Sequence, residues 1–583
     1  MIAFWGGPAM KQSHYNLDPE STSPPLPSSR LPARKKIHHD PDPESPQART
    51  CYQPQNNRRI LCVSPEYDCS FGTLHYAYPF IPGVKAFMPP QGLLLIAACL
   101  PESWEVRFVD ENLQRCSDSD LRWADAVLVS GMHVQRPRML QLNEMAHQEG
   151  KLTVLGGAAV SAAPEEYGDF DLLHIGELGD ATDDLIGYLD QHCERPKSQV
   201  QLVTCQRLPL QCFPLPAYHL VDLHHYLLAN IQFSSGCSYQ CESCEIPALY
   251  GHVPRHKSPQ QIVQELDAMH LSGNSGTVYF VDDNFMADPR AAAKLLPHLV
   301  DWQMRNSYPV EFACEATLNL ALHPEILALM REAYFCSVFF GIESPAPDAL
   351  HSISKHRNLK VPIREAIQTF NDYGIEVLSS IVMGLDGEPE HIDEEIIAFI
   401  RTSQIPVFSI NLLNALPRTP LWERLEQGKR LVDSSGRMSN VDYLVPYQKV
   451  LSQWKRCIAF AYDPESLYRR FSHQLEHTYL NRIEVPNGPE RLSWRSVRDS
   501  FLMAGNLFVR VGVLSSYRST FWRMARLALK HGDIEGFLHV GLTCHHLIEF
   551  AKECEQCDEA ADCPLPGRSR EARFSAESKP ISS

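Results

Sequence analysis

At 583 residues the chain is too long for a single hydrophobic core and predicts two or three domains. With 44% hydrophobic and 21% charged residues it has an ordinary globular balance, and no apolar run is long enough to span a bilayer. The net charge of −17, from 53 Lys plus Arg against 70 Asp plus Glu, argues against RNA or DNA as a partner of the whole chain, and 18 cysteines behind a start without a secretory leader point to a reducing, cytosolic compartment.

Residues 1–57 are rich in Pro, Ser, Asp, Arg and His without periodicity, which predicts a disordered extension whose basic patch Arg34-Lys35-Lys36 is simply solvated. From Arg59 the texture changes to short β-rich apolar runs alternating with helical stretches. The runs are Ile60 to Val63, Leu93 to Ala98, Val106 to Val109, Ala126 to Gly131 and Thr153 to Gly157, with a helix over Met139 to His147. This alternation predicts a parallel, doubly wound α/β domain over 58–196. Ligands of such sheets sit at the carboxyl ends of the strands, here Ser64-Pro65, Ser130-Gly131 and Gly156-Gly157, although any one glycine pair also reads as a tight turn. Pro209, Pro214 and Pro216 mark 197–230 as a linker.

The chemistry-bearing stretch follows: Gly236-Cys237-Ser238-Tyr239-Gln240-Cys241-Glu242-Ser243-Cys244, with three thiols in eight residues. A protein iron–sulfur cluster usually takes four cysteines, so three with no nearby fourth leave one iron open. The alternative is a zinc site completed by His252 or His256. About six strand-then-helix units then run through Ile231 to Ser234, Thr277 to Val281, Glu311 to Cys314, Ser337 to Ile342, Glu376 to Met383 and Val407 to Leu413. They predict a partial (β/α)6 barrel over 231–420 with its site at the carboxyl ends of the strands. The polar clusters there are Asp282-Asp283-Asn284, Glu315, Glu343-Ser344 and Ser379-Ser380, although carboxylates at strand ends also cap helices.

Residues 421–550 predict a mainly helical region, and 551–583 a disordered tail in which Cys554-x-x-Cys557 and Cys563 offer a second metal site or are merely spare cysteines. Between Leu492 and Lys530 seven basic residues face the single acid Asp499; Arg523, Arg526 and Lys530 share one helical side, and Trp522, Ala525 and Leu529 another. Such a stretch reads as a solvated basic face or as a peripheral contact with an anionic membrane.

The C-x3-C-x2-C loop resembles that of the radical S-adenosylmethionine (SAM) enzymes, in which the open iron chelates SAM. The position before the third cysteine, usually aromatic there and in touch with the adenine, is Ser243 here, which weakens that contact or leaves it to another residue. An α/β domain just upstream looks like the cobalamin-binding domain of the cobalamin-dependent class. D-x-H-x-x-G is absent, so the resemblance implies a cobalt without a protein histidine below it, with the run His174 to Asp180 bordering the corrin. Longer stretches narrow the likeness to the hopanoid C-2 methylases: Arg59 to Pro65, Ala86 to Leu93, Ser130 to His133, His174 to Thr182, Tyr279 to Phe285, Ala313 to Asn319, Asn411 to Trp422 and Val441 to Tyr447.

That resemblance implies a 4Fe-4S cluster on Cys237, Cys241 and Cys244, and SAM with Asp282 and Asp283 on its ammonium side and Glu315 and Glu343 on its ribose side, with Ser380 nearby. It implies cobalamin against Ser130, Gly131, Gly156 and Gly157. In the family scheme a 5′-deoxyadenosyl radical takes hydrogen from a ring A carbon of a hopanoid lipid, methylcobalamin supplies methyl, and a reductase or other donor supplies electrons. Related cobalamin enzymes act on other lipids or natural products, and a metal-binding regulatory protein is the non-enzymatic alternative.

Overall fold

The computed structural model describes residues 53–556 apart from 68–69, 274–275, 356–360, 434–436 and 487–493. Arg34-Lys35-Lys36, Cys557 and Cys563 lie outside the described residues. The first sheet is parallel throughout and comprises β1 (Arg59–Ser64), β2 (Glu105–Asp110), β3 (Ala126–Ser130), β4 (Leu152–Gly156), β5 (Leu172–Ile175) and β6 (Val200–Val203) in the order β2-β1-β3-β4-β5-β6. Its strands read as continuous apolar runs because both faces are covered: Ile60 and Cys62 point into one core, Leu61 and Val63 into the other. The strand order reverses beside β1, which opens a crevice at the carboxyl ends.

Three expectations change here. The run Leu93 to Ala98 is a helix, Gln91–Cys99, not a strand. An unbroken apolar run has no period to read, and this one is made of good helix formers behind Pro89-Pro90. Strand β6 lies inside the expected linker, its pattern alternating half-buried and exposed residues because it forms the sheet edge. At the start of the described chain, Gln55 and Asn56 donate their backbone N–H groups to Asp190 at 2.9 Å each, which anchors residues expected to belong to the disordered extension.

The second sheet, also parallel, comprises β7 (Leu228–Ile231), β10 (Thr277–Phe280), β11 (Glu311–Ala316), β12 (Phe335–Glu343), β13 (Glu376–Met383) and β14 (Val407–Leu412), in chain order from one edge to the other. Sequential parallel strands with helices between them make the partial (β/α)6 barrel that the sequence predicts. Its first strand begins earlier than the apolar pattern suggests. Asn230 interrupts that pattern, but its buried side-chain amide donates to the Pro89 carbonyl at 2.7 Å, a partner supplied by the first domain. Between β7 and β10, β8 (Ser234–Ser235) and β9 (Arg255–His256) pair antiparallel and close the three-cysteine segment into a hairpin.

The C-terminal region is helical, as predicted, and its last helix, Ile534–Gln556, extends six residues past the expected boundary at 550. It packs back on the first domain: His546 Nε2 lies 3.0 Å from the Phe71 carbonyl, and Phe71 stacks on Tyr462 at 5.6 Å. Cys554 is buried in this core, as are Cys314 and Cys336 in theirs. Among the described residues no helix is long and apolar enough to cross a membrane.

Candidate functional site

The cysteine loop is held from three sides. Gly236 starts it at φ +88°, and a Cβ there would meet the carbonyls of Gly251, Val253 and Tyr250 at 3.0 to 3.2 Å, so only glycine fits without strain. The Cys237 N–H donates to the Gly251 carbonyl at 3.2 Å, and the Cys244 N–H to the Cys241 carbonyl at 3.2 Å. Burial pushes the Cys244 thiol up to about 12, with Cys241 and Cys237 close enough to raise it further. Three thiols on one eight-residue loop are the donor chemistry that a cluster with one open iron takes, although among the described residues no three His, Cys, Asp or Glu side chains already stand in a metal-binding arrangement. Of the two candidates to complete a zinc site, His256 stacks on Phe233 at 5.8 Å and faces Asp288 at 3.7 Å, while His252 is exposed.

At the carboxyl ends of β3, β4 and β5 lies a cavity of about 280 Å³. One wall is Ser130, Gly156, Gly157 and His174 of the first domain; the other is Gln232, Tyr250 and Val281 of the barrel. Gly157 is at φ +100°, and a Cβ there would come within 2.7 Å of Ser130 Oγ. Glycine is therefore required there for Ser130 to pack, and because neither Gly156 nor Gly157 carries a side chain, backbone is left open on this wall. Gly131 stands behind it, its carbonyl accepting the Ala159 N–H at 3.4 Å. His174 Nε2 lies 3.0 Å from Thr182 Oγ1, and burial lowers its pKa.

The barrel carboxylates divide into two kinds. Asp282 is fully buried and spends both oxygens on the loop backbone, accepting the Phe233 N–H at 3.2 Å and the Ser234 N–H. It braces the hairpin from below, a position that gives an ammonium no free oxygen. Asp283, half-buried, accepts the Gly236 N–H at 3.4 Å, and burial raises it to about 6. Burial raises Glu315 to about 7, and its Oε1 accepts the Tyr279 hydroxyl at 3.2 Å. Glu343 follows a bulge in β12 and sits in the left-handed region at φ +68°, paired with Lys355 and accepting Ser380 Oγ at 3.3 Å. A non-glycine residue held there stores about 1 kcal/mol or more, as positioned functional groups often do. The structure therefore brings Asp283, Glu315, Glu343 and Ser380 to one rim and puts Asp282 beneath it.

Several contributors were not singled out from the sequence. Glu177 accepts Ser235 Oγ at 2.8 Å, pairs with Arg255 at 2.6 Å and with Arg207 at 3.3 Å, clasping the first domain to the cluster hairpin. His133 Nε2 lies 3.3 Å from Glu245 across the same boundary. Arg424, on the helix Pro420–Gln427, grips Glu242 inside the cysteine loop at 2.6 and 3.1 Å and Asp386 at 2.7 Å, while the Leu421 N–H donates to the Glu242 carbonyl at 3.0 Å. Glu388 accepts the Gly384 N–H at 2.9 Å and is raised to about 7 by burial. A Thr-Pro helix start at Thr419-Pro420 places Arg424 on a helix without naming its partners, and the other partners come from distant segments that no spacing connects.

Comparison with known proteins agrees with this architecture. The Radical SAM superfamily matches residues 231–400, and a domain of unknown function (DUF4070) matches 419–560. The solved structure of the radical SAM methyltransferase TsrM from Kitasatospora setae, with cobalamin and a [4Fe-4S] cluster bound, superposes with a TM-score of 0.55 at 14% identity, covering 82% of this chain and 100% of that one. The cobalamin-dependent SAM radical enzyme OxsB superposes with a TM-score of 0.52 at 14% identity, covering 89% and 83%. These likenesses establish the fold. A hopanoid C-2 methylase from Rhodopseudomonas palustris (strain TIE-1) is 51% identical over 502 residues, 86% of this chain and 95% of that protein. At that identity over nearly the whole relative, this chain belongs to the hopanoid C-2 methylase family.

Proposed function

We propose that this chain methylates carbon 2 of a hopanoid, with cobalamin in the cavity between its two α/β domains and SAM on the rim of the barrel. The observation that carries the reading is a single cavity walled by the carboxyl ends of both sheets: Ser130, Gly156 and Gly157 on one side, Gln232, Tyr250 and Val281 on the other. Val281 directly precedes Asp282 and Asp283, so the cavity ends beside the carboxylate rim, which suits a transfer between the two.

In this reading Cys237, Cys241 and Cys244 hold the cluster, and Asp282 and Asp283 fix the hairpin that carries them through its backbone N–H groups. Glu315, Glu343 and Ser380 accept hydrogen bonds from the ribose and amino groups of SAM. The cluster, SAM and cobalamin supply the radical and methyl chemistry that no side chain here can provide. The chain's own part is to orient these groups and keep water away from them, with apolar Leu95, Ile96, Leu128 and Val154 lining the cavity. An external reductase provides electrons. Because the substrate is a bilayer lipid, the reading includes a cytoplasmic enzyme that meets the membrane peripherally.

Expression in a hopanoid-making host that lacks methylation, followed by mass spectrometry of its lipids, tests this. A 2-methylated hopanoid is the expected product. Unchanged hopanoids in cells whose protein contains iron and cobalamin would refute the assignment, and a methyl group on another lipid would redirect it to that substrate.

A further inference from the structure

The helix Trp494–Asn506 runs directly into a π-helical turn, Leu507–Val513, and this rod is apolar on two opposite sides. Met503, Leu507 and Val511 point inward and are buried. Phe501, Leu502, Phe508, Val509, Val513 and Leu514 point outward, with Phe501 71% and Leu514 72% exposed. Exposed apolar residues occurring singly need no explanation. Here six of the 17 large ones among the described residues fall within fourteen positions. A helix apolar all round is normally covered on both sides.

The charge around this face is equally uneven. From Ser500 to Gly532 there is no Asp or Glu, while Arg510, Arg518, Arg523, Arg526 and Lys530 are basic, in a chain of net charge −17. The basic side expected from the sequence is only partly open, because Arg523 is bound to Glu465 and lies over Tyr468 at 4.6 Å. Arg510 and Arg518 flank the apolar rod and are exposed. A second copy of the chain suits this face poorly, since a two-fold contact would set the same arginines against each other without an acid in the segment.

We infer that the outward face of residues 501–514 is a bilayer-contact surface: Phe501, Leu502, Phe508, Val509, Val513 and Leu514 enter the interface while Arg510 and Arg518 meet anionic headgroups. This face is linked to the site. Arg510 lies over Phe80 at 5.4 Å, and Phe80 belongs to the connection after β1 that continues into the helix Gln91–Cys99, whose Gln91, Leu95 and Ile96 line the cavity. The inference extends the lipid-substrate reading, and its test uses no substrate, so each can fail without the other.

The test is co-sedimentation of the full chain with phosphatidylcholine vesicles, with and without phosphatidylglycerol, alongside a variant carrying Phe501→Ser, Phe508→Ser and Leu514→Ser. The wild type should bind the anionic vesicles, less in high salt, and the variant should lose about tenfold or more of that binding. These side chains are exposed, so an unchanged circular dichroism spectrum is expected and is checked. Hydrogen exchange of the wild type on vesicles gives a second readout without mutation, with new protection expected across 501–514. Equal sedimentation of both proteins, protection elsewhere only, or a wild-type dimer that the variant dissolves without any change in vesicle binding would each overturn the inference.

Discussion

The first-domain wall of the cavity and the carboxylate rim of the barrel are built by opposite means. The first-domain wall offers mostly backbone: Ser130, Gly156 and Gly157 give backbone and one hydroxyl, His174 is held by Thr182, and its one carboxylate, Glu177, is neutralised by Arg255 and Arg207. The barrel rim, outside the cavity lining, is crowded with carboxylates, with Glu315 and Glu388 each raised to about 7 by burial and Glu343 tied to Lys355. A large ring needs room and tolerates an uncharged shelf, whereas a small cation with ribose hydroxyls needs acceptors already in place. Clearing room costs the fold little beyond a few glycines. Burying carboxylates is costly unless each is paired or hydrogen-bonded, which is why the barrel side carries the more elaborate set of partners.

The contrast can be broken most completely at the cluster. Changing Cys237, Cys241 or Cys244 to Ala should reduce iron content and SAM cleavage to background while cobalamin binding to the opposite wall survives. Cys314→Ala, in the barrel core, should keep iron and lose only about 1 kcal/mol of stability. Simultaneous loss of cobalamin in the loop variants would mean that the walls are not independent.

The opposite cut is Gly157→Leu. Its Cβ would come within 2.7 Å of Ser130 Oγ at a left-handed backbone position, so Ser130 and the shelf backbone must shift. Cobalamin affinity should fall by roughly tenfold or more, with iron content unchanged. Retention of wild-type cobalamin after desalting would remove the glycine shelf from the argument.

A smaller effect should follow from Arg424→Ala, which releases Glu242 and Asp386 together. Arg424 touches no reacting group, so it acts by positioning the cluster loop. Turnover should drop roughly 10-fold to 100-fold, as for other outer-shell changes, with a shifted electron paramagnetic resonance spectrum of the reduced cluster. Arg424→Lys, lacking the bidentate fork, should restore it only in part. A loss of stability with an unchanged spectrum would make the residue merely structural.

The mildest test is pH. Burial holds the Glu315 carboxyl at about 7 in the folded chain, above its ordinary 4.5, so the folded state keeps a proton that the unfolded chain releases. The associated stability is complete below the unfolded value and is lost as pH rises through about 7. The cofactor-free protein should therefore melt at lower temperature at pH 8 than at pH 5.5, and Glu315→Gln should flatten part of that slope. The expected contribution is at most about 3 kcal/mol. An identical slope in the variant would mean that Glu315 titrates as it does in water.

Much of this comparison was legible in the residues themselves. Local covalent spacing places Cys237, Cys241 and Cys244 on one loop in any fold that closes the hairpin, and repeated apolar runs four to eight residues long already imply two parallel sheets. The positions of Ser130, Gly156 and Gly157 follow, once the strands are found, from the rule that ligands of open parallel sheets sit at the carboxyl ends of the strands. The run Leu93 to Ala98 was misread because side chains buried on every side carry no period. The start of β7 was misplaced because Asn230 becomes tolerable in a strand only through the distant Pro89 carbonyl.

Sequence alone thus determined the family of chemistry: three thiols at close spacing, carboxylates after successive strands, and glycines at the ends of others. Tertiary structure alone decided which of these face one another. It turned Asp282 downward to brace a backbone, joined Glu177 to Arg255 across a domain boundary, brought Arg424 to Glu242 across 182 positions, and left Phe501 and Phe508 facing outward. The physical reason is that residue type and local spacing fix what a group can do, whereas its charge state, exposure and partners depend on packing between segments far apart in the chain.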